Sequence, residues 1–287
     1  SLTGDKISVG APFFNLTFAP LVLPLLIAVP FGPLLAWKRG DILAAAQRLT
    51  VAGIAALVTV AVLWAWTRGG AAFAPLMIAL AVFVILGAAT DIVERMQLFR
   101  VPLGTAVRRG RGLPRSAWGT AFAHAGLGVA LIGIVCESTW NSEHIASLKA
   151  QDTAAVGGYE LRLDGLTQQQ GPNFREVVAH FTVTQDGRTI GAMTPSKRSF
   201  ATRGMSTTEA ALMTRGFSQL YVSLGDINAD GSIAARIYHK PLVLLIWFGP
   251  VLMAFGGLLS LTDRRLRVGA PKPAKAHKKA GALQAAE

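Results

Sequence analysis

The chain has a single cysteine, Cys136, in 287 residues. No intrachain disulfide can form, and CxxC redox chemistry and zinc-finger sites are excluded. Charge is scarce as well. Charged residues make up 15 % of the chain and hydrophobic residues 52 %, with a mean hydropathy of +0.43, which is too apolar for an ordinary soluble domain. There is no phosphate loop, no GxSxG and no HExxH, so the usual signatures of nucleotide, serine-hydrolase and zincin chemistry are missing. Ser1 is not followed by a basic segment with a cleavage site, as a secretory signal would require. The sequence therefore reads as the continuation, or a fragment, of a longer polypeptide.

What the chain has is long apolar runs. Five could cross a bilayer, at about 20 residues for a hydrocarbon core of about 30 Å: Phe14–Trp37, Leu49–Trp66, Ala71–Ala89, Ala117–Cys136 and Pro241–Leu261. The first carries Pro20, Pro24, Pro30 and Pro33 and is expected to be bent or broken. Trp37, Trp64, Trp66, Trp118 and Trp247 fall at or near the ends of these runs, as in an interfacial aromatic belt. The net charge of +12 is unevenly placed. Residues 38–48, 91–115 and the tail after Leu261 hold 16 Lys/Arg against 5 Asp/Glu, and the rest holds 12 against 11. That bias is the positive-inside pattern of a polytopic membrane protein and not a nucleic-acid surface. It predicts an outer N-terminus and a cytoplasmic C-terminus. Arg100, Arg108, Arg109, Arg111 and Arg115 then face anionic membrane lipid.

The expected organisation is four transmembrane helices with basic cytoplasmic loops over residues 1–136, then an outer β-rich domain over 137–240. A fifth helix follows over 241–262, and a basic disordered tail over 263–287. The period-two pattern of Phe174–Gln185 places Val177, Ala179, Phe181 and Val183 on one face. Asp186-Gly187 is a hairpin turn into Thr189–Met193. Tyr159–Leu166, Gln219–Leu224 and Ser232–Tyr238 read as strands, the last two joined at Ala229-Asp230-Gly231. Ser206–Met213 reads as a helix capped by Thr207. The fold class is thus a polytopic α-helical membrane protein with a small antiparallel β-barrel-like domain, OB-like in its strand count.

His124 is the one ionisable side chain between Ser116 and Cys136 apart from the thiol, and such a group inside a membrane helix is costly and marks a functional site. Ala117, Ala121 and Gly128 share its face. Two uses fit: an axial ligand to the iron of a flat macrocycle lying on those small residues, or a hydrogen bond to a neighbouring helix. Asp91 and Glu94 read as a solvated helix end, and His180 as an exposed strand position. His144 and His239 flank the outer membrane surface, and His277 belongs to the tail. Pro195-Ser196-Lys197-Arg198, Arg203 and Thr207–Leu212 form a polar cluster. Its cations Lys197 and Arg198 could meet carboxylates of a partner or of haem propionates, or simply be solvated.

Several segments occur in a telling order: Val9-Gly10-Ala11-Pro12-Phe13-Phe14-Asn15, Ala123-His124-Ala125-Gly126, Pro195-Ser196-Lys197-Arg198, Thr207-Thr208-Glu209-Ala210-Ala211, Arg236-Ile237-Tyr238-His239-Lys240-Pro241 and Ile246-Trp247-Phe248-Gly249. Over about residues 5–265 this set resembles the C-terminal part of the CcmF/CycK-type cytochrome c haem lyases. The resemblance implies a multi-pass protein of the bacterial inner membrane, with a periplasmic N-terminus, that acts in cytochrome c maturation. Such proteins receive haem from the chaperone CcmE. With a CcmH-type subunit presenting apocytochrome c, they attach it to CxxCH thiols. They also hold a haem b between two transmembrane histidines, of which His124 matches the second, with Ala121 and Gly128 facing the haem. The other axial histidine, the two outer histidines and the tryptophan-rich WWD segment have no counterpart here and belong to an N-terminal half or subunit. The chain alone would then be inactive. A non-catalytic scaffold that holds the outer domain in an assembly complex is the competing reading. A transporter with a broken first helix is the third.

Overall fold

The computed structural model describes residues 11–35, 40–70, 73–200 and 204–263. Val9, Gly10, Trp37, Arg203, His277 and the tail, which figure in the sequence reading, lie outside the described residues.

Helices occupy all five apolar runs. Helix α1 (Ala11–Ala28) ends just before Pro30 and gives way to a short 3-10 turn at Gly32–Leu34, as the prolines of that run require. Helix α2 (Ile42–Arg48) starts where the Asp41 carboxylate accepts the Ala44 N–H at 3.1 Å, satisfying one of the free donors of its first turn. Helices α3 (Thr50–Thr67) and α4 (Ala74–Met96) follow, the latter opening on Pro75, whose missing N–H costs nothing there. Helix α5 (Leu103–Gly112) lies in the connection read as a basic loop, and α6 (Arg115–Trp140) follows it. Of these, α3, α4 and α6 are long and apolar enough to cross a membrane, while α7 (Leu245–Leu261) is an apolar helix of 17 residues.

Trp118 and Trp140 bracket α6 about 33 Å apart at about 1.5 Å per residue, close to the hydrocarbon thickness of about 30 Å. The Trp140 ring lies 5.9 Å from that of Trp66 at the end of α3. At the other end the Trp118 indole N–H donates to the Gly110 carbonyl at 3.1 Å.

A glycine seam joins α6 to α7. A Cβ on Gly119 would come within 2.5 Å of the Gly256 carbonyl oxygen, one on Gly126 within 2.6 Å of the Gly249 oxygen, and one on Gly133 within 2.6 Å of the Ile246 nitrogen. The seven-residue spacing keeps these positions on one stripe, and the missing side chains let the two backbones touch.

The β domain corrects the expected barrel. It is two sheets facing one another. One runs β1 (Ser142–Leu148), β10 (Ile233–Lys240), β9 (Ser218–Ile227), β8 (Ala211–Arg215). The other runs β2 (Thr153–Val156), β3 (Tyr159–Gln170), β4 (Arg175–Gln185), β6 (Ser196–Phe200), β7 (Met205–Glu209), with β5 (Arg188–Met193) also on β4. Leu161, Leu163, Ala179, Phe181 and Val183 of one sheet meet Leu220, Val222, Leu224, Ile233, Ala235 and Ile237 of the other in a common core. The alternation read in β4 is the inner face. Asp186 and Gly187 make the β4–β5 turn with φ of 50° and 72°, the left-handed pair that a two-residue hairpin needs.

The helix expected at Ser206–Met213 is two strands, β7 and β8, on opposite sheets with Ala210 between them. Local helix propensity loses to pairing: β7 is in register with β6 from Ser196↔Glu209 to Phe200↔Met205, and β8 pairs with β9. Thr207 is therefore a strand residue and not a cap.

The domain is set directly on two helices. Helix α6 runs into β1 through Asn141, β10 runs into α7 through residues 241–244, and β1 and β10 are paired neighbours from Ser142↔His239 to Leu148↔Ile233. An ion pair at 3.5 Å between Lys240 and Glu137 spans that junction.

Candidate functional site

Three sides of α6 are used differently. One stripe meets α7. A second meets α4, where a Cβ on Gly128 would fall 2.5 Å from Ile85 and 2.8 Å from the Ala81 carbonyl. The third bears Ser116, Ala117, Thr120 and His124 and faces a cavity of about 600 Å³. Leu25, Ala28, Val29, Gly32 and Pro33 wall it on one side, and Asp91 and Arg95 of α4 on another. The α1 end is fixed by a close contact: a Cβ on Gly87 would meet Pro30 at 2.4 Å. The volume falls in the range of about 300–1,000 Å³ usual for small-molecule and cofactor pockets.

The Nδ1 atom of His124 is buried and has no hydrogen-bond partner among the described residues, so the hydrogen bond to a neighbouring described helix is not made through this nitrogen. Leaving such an atom unpaired costs about 1–3 kcal/mol. Across the cavity, Asp91 is only 4 % exposed. It accepts from the Arg95 guanidinium at 2.8 Å. The expectation of a solvated Asp91 is thus corrected: α1 and α6 close over it, and its charge is held by the arginine one turn on. Glu94 is half-buried, between Arg48 at 3.5 Å and Arg100 at 3.8 Å.

Gly128, expected beside the ligand, lies on the α4 stripe, because α6 has two helical neighbours that consume its small residues. Ala121 is half-buried and is not among the cavity wall residues. Asp91 and Arg95 were missed as site residues. Their signal was an i, i+4 charged pair at the end of an apolar helix, level with His124 across the bundle.

These residues fit one face of a flat, mainly apolar, carboxylate-bearing group. His124 offers an imidazole, Leu25, Ala28, Val29 and Ala117 an apolar bed, and Arg95 a cation for carboxylates. A second ligand on the opposite face would have to come from elsewhere.

The outer cluster is engaged within the domain. The Arg198 guanidinium donates to Glu176 at 2.7 Å, lies 3.3 Å from Glu209 and sits 4.7 Å over the Phe174 ring. Lys197 pairs with Asp226. The hydrogen bond from Arg198, then that from Ser196, holds the Glu176 carboxyl below its ordinary range. Arg198→Glu is accordingly expected to lower the thermal midpoint of the sandwich, and the Glu176→Arg/Arg198→Glu exchange to recover part of it. A midpoint unmoved by the single change removes the structural role.

Of the remaining histidines, His180 bonds the Thr167 hydroxyl at 2.9 Å. Strand register puts His144 and His239 on one face of the β1–β10 pair, diagonally placed. His144 is exposed, whereas the His239 ring lies 5.5 Å from Tyr159 and against Gly157. Burial holds His239 below the ordinary imidazole value. Its unfolded form therefore takes up a proton first, and stability falls as pH drops through about 6.5 toward the folded value. Thermal melts across that window are expected to show the loss, and His239→Phe to flatten it.

A bundle of apolar helices carrying a two-sheet domain on the ends of two of them, with an unpaired imidazole in a cavity on the third side of one, defines a membrane protein with an appended β-sandwich. Residues 139–241 match the family described as CcmF C-terminal beta-sandwich. The chain is 71 % identical over 286 residues to the cytochrome c-type biogenesis protein CycK of Bradyrhizobium diazoefficiens, covering 100 % of this chain and 43 % of that protein. It is 33 % identical over 263 residues to CcmF of Escherichia coli, covering 91 % and 39 %. The solved cytochrome c haem lyase CcmF superposes with a TM-score of 0.69 at 21 % identity, over 88 % of this chain and 41 % of that one, a likeness of fold. The chain belongs to the CcmF/CycK family of cytochrome c biogenesis proteins and corresponds to its C-terminal part. It spans about two fifths of the length of the curated relatives it matches.

Proposed function

We propose that this chain forms the C-terminal half of a cytochrome c haem lyase, in which His124 is one axial ligand of a membrane-embedded haem b. The observation that carries this reading is the buried imidazole nitrogen, unpartnered among the described residues, on the wall of a cavity whose one cation among those residues is Arg95. His124 would hold the iron, Arg95 would meet the propionates, and the aliphatic wall would keep water from the ring faces. The second axial histidine lies outside this chain. Bound there, a haem supplies one-electron chemistry, which suits reduction of the substrate haem iron.

Thioether formation needs the substrate haem held beside two thiols in fixed geometry. His124 lies roughly 14 Å from Arg115, the end of its helix that is farther from the sandwich, at about 1.5 Å per residue. Substrate haem from CcmE, and apocytochrome c presented by a CcmH-type subunit, are therefore assigned to a surface of the N-terminal half, with the sandwich as a docking domain. Lys197 and Arg198 contact a partner only through what their own carboxylates leave free. The positive-inside bias supports an inner-membrane protein with the sandwich in the periplasm and the C-terminus in the cytoplasm. The deciding measurement is the visible spectrum of the full-length protein with and without His124.

The glycine-seamed α6–α7 pair running straight into β1 and β10 favours a second reading, a scaffold that holds the sandwich in the assembly without binding haem. A haem-free complex with normal cytochrome c maturation in a His124→Gln strain would support it.

A further inference from the structure

Helix α5 is built unlike the other helices. Its ten residues contain three arginines, Arg108, Arg109 and Arg111, and no acidic residue. It joins α4 to α6, two helices long and apolar enough to cross a membrane, so both its ends are fixed at one bilayer surface.

Its faces divide cleanly. Ala106 and Gly110 are buried, and a Cβ on Gly110 would stand 3.0 Å from Met96, so this side lies on α4. With Ala106 as origin and about 100° per residue, Gly110 is about 40° round, Leu103 about 60° and Val107 about 100°. Arg111, Arg108 and Arg109 follow at about 140°, 200° and 300°. The apolar flank beside the packed side is uncovered: Leu103 is 70 % exposed and Val107 38 %. Phe99, in the turn before the helix, is 91 % exposed and held at a φ of 69°, a conformation a bulky side chain adopts only when its surroundings impose it.

Among the described residues the arginines are not consumed: none of the three pairs with a carboxylate. Arg109 donates to the neutral Gln97 amide oxygen. Asp263 shares a cleft with Arg111 and Arg115, but its carboxylate accepts from the Ser116 N–H at 3.0 Å and hydroxyl at 2.9 Å.

We propose that α5 is an interfacial helix that lies in the plane of one leaflet, with Phe99, Leu103 and Val107 at the acyl boundary and Arg108, Arg109 and Arg111 on the phosphates of anionic phospholipids. An apolar flank next to a cationic flank is the arrangement that settles such helices about 5–10 Å into the headgroup region, and each arginine near an anionic surface strengthens the attachment. A nucleic acid would use the arginines but leave the apolar flank in water, so the exposed Leu103 and Val107 favour lipid.

The test uses the full-length protein in nanodiscs of phosphatidylcholine with and without phosphatidylglycerol. An environment-sensitive fluorophore is placed at Val107→Cys or, separately, at Arg108→Cys, the native Cys136 being buried. The Val107 probe is expected to be quenched by lipid-borne nitroxides and shielded from aqueous iodide, and the Arg108 probe to show the reverse. Detergent-purified wild type is expected to retain phosphatidylglycerol over phosphatidylcholine severalfold, and Arg108→Gln/Arg109→Gln/Arg111→Gln to lose that preference. The triple change leaves Ala106 and Gly110 in place, and the probe measurement does not depend on it. Equal iodide access at the two positions, or an unchanged lipid preference in the triple variant, overturns the proposal. So does binding of nucleic acid or an acidic protein by α5 with the Val107 probe still in water.

Discussion

If the proposed haem site is right, the full-length protein is expected to show a bis-histidine b-type haem spectrum, and His124→Ala to lose it while its level in the membrane is maintained. A ligand supplies a coordinate bond that nothing else among the described residues can replace. In the cavity, Asp91 is already committed to Arg95 at 2.8 Å, and the other polar wall residues, Ser116 and Thr120, are hydroxyls. Removing the imidazole also relieves a buried unpartnered nitrogen, so the apoprotein should be no less stable than wild type. Loss of haem without loss of fold is the signature that separates a ligand from a packing residue. Arg95→Gln is expected to act more mildly, weakening haem retention on the order of tenfold, as groups that support a ligand set do, with the shape of the spectrum preserved. An unchanged haem spectrum in His124→Ala removes the ligand assignment.

The second large effect is structural. Gly126→Leu should prevent α6 and α7 from closing, because even a Cβ there would lie 2.6 Å from the Gly249 oxygen and 2.9 Å from the Met253 nitrogen. Backbone cannot rotate aside as a side chain does. The cost should exceed the usual overpacking penalty of about 1–3 kcal/mol. Gly257→Leu is the control, since no atom of the described residues lies within 4 Å of a Cβ placed there. Yield of monodisperse protein after solubilisation should collapse for the first and hold for the second. Equal yields would mean that the seam is not a contact the fold depends on. Because His124 is two residues from Gly126, the same change should also disturb the cavity.

The apolar runs were legible because hydrocarbon needs a fixed length, and β4 because its alternation survives in the sequence. The two sheets were not. Whether strands close into a barrel or face each other depends on who pairs with whom, and β1 and β10 are separated by almost the whole domain. Ser206–Met213 misled because Glu209, Ala210 and Leu212 favour a helix locally, while their strand partners lie in β6 and β9. His124 could be found alone, since one imidazole in an apolar helix is conspicuous. Its surroundings could not, because Asp91 and Arg95 reach it across the bundle. The glycines of α6 carried two messages. The spacing of Gly119, Gly126 and Gly133 carries a helix contact that only the structure brings out, and Gly128 packs on α4.

The junction of α6 with β1 and of β10 with α7 has a mechanical consequence. Asn141 is the single residue between helix and strand on the way in, and the strands that continue the two helices are hydrogen-bonded to each other. On the α6 side the sandwich has a single residue in which to absorb a push. A torque applied to it would reach α6 through Asn141 alone, and α6 is the helix that bears His124. The domain is a handle on the helix that carries the imidazole.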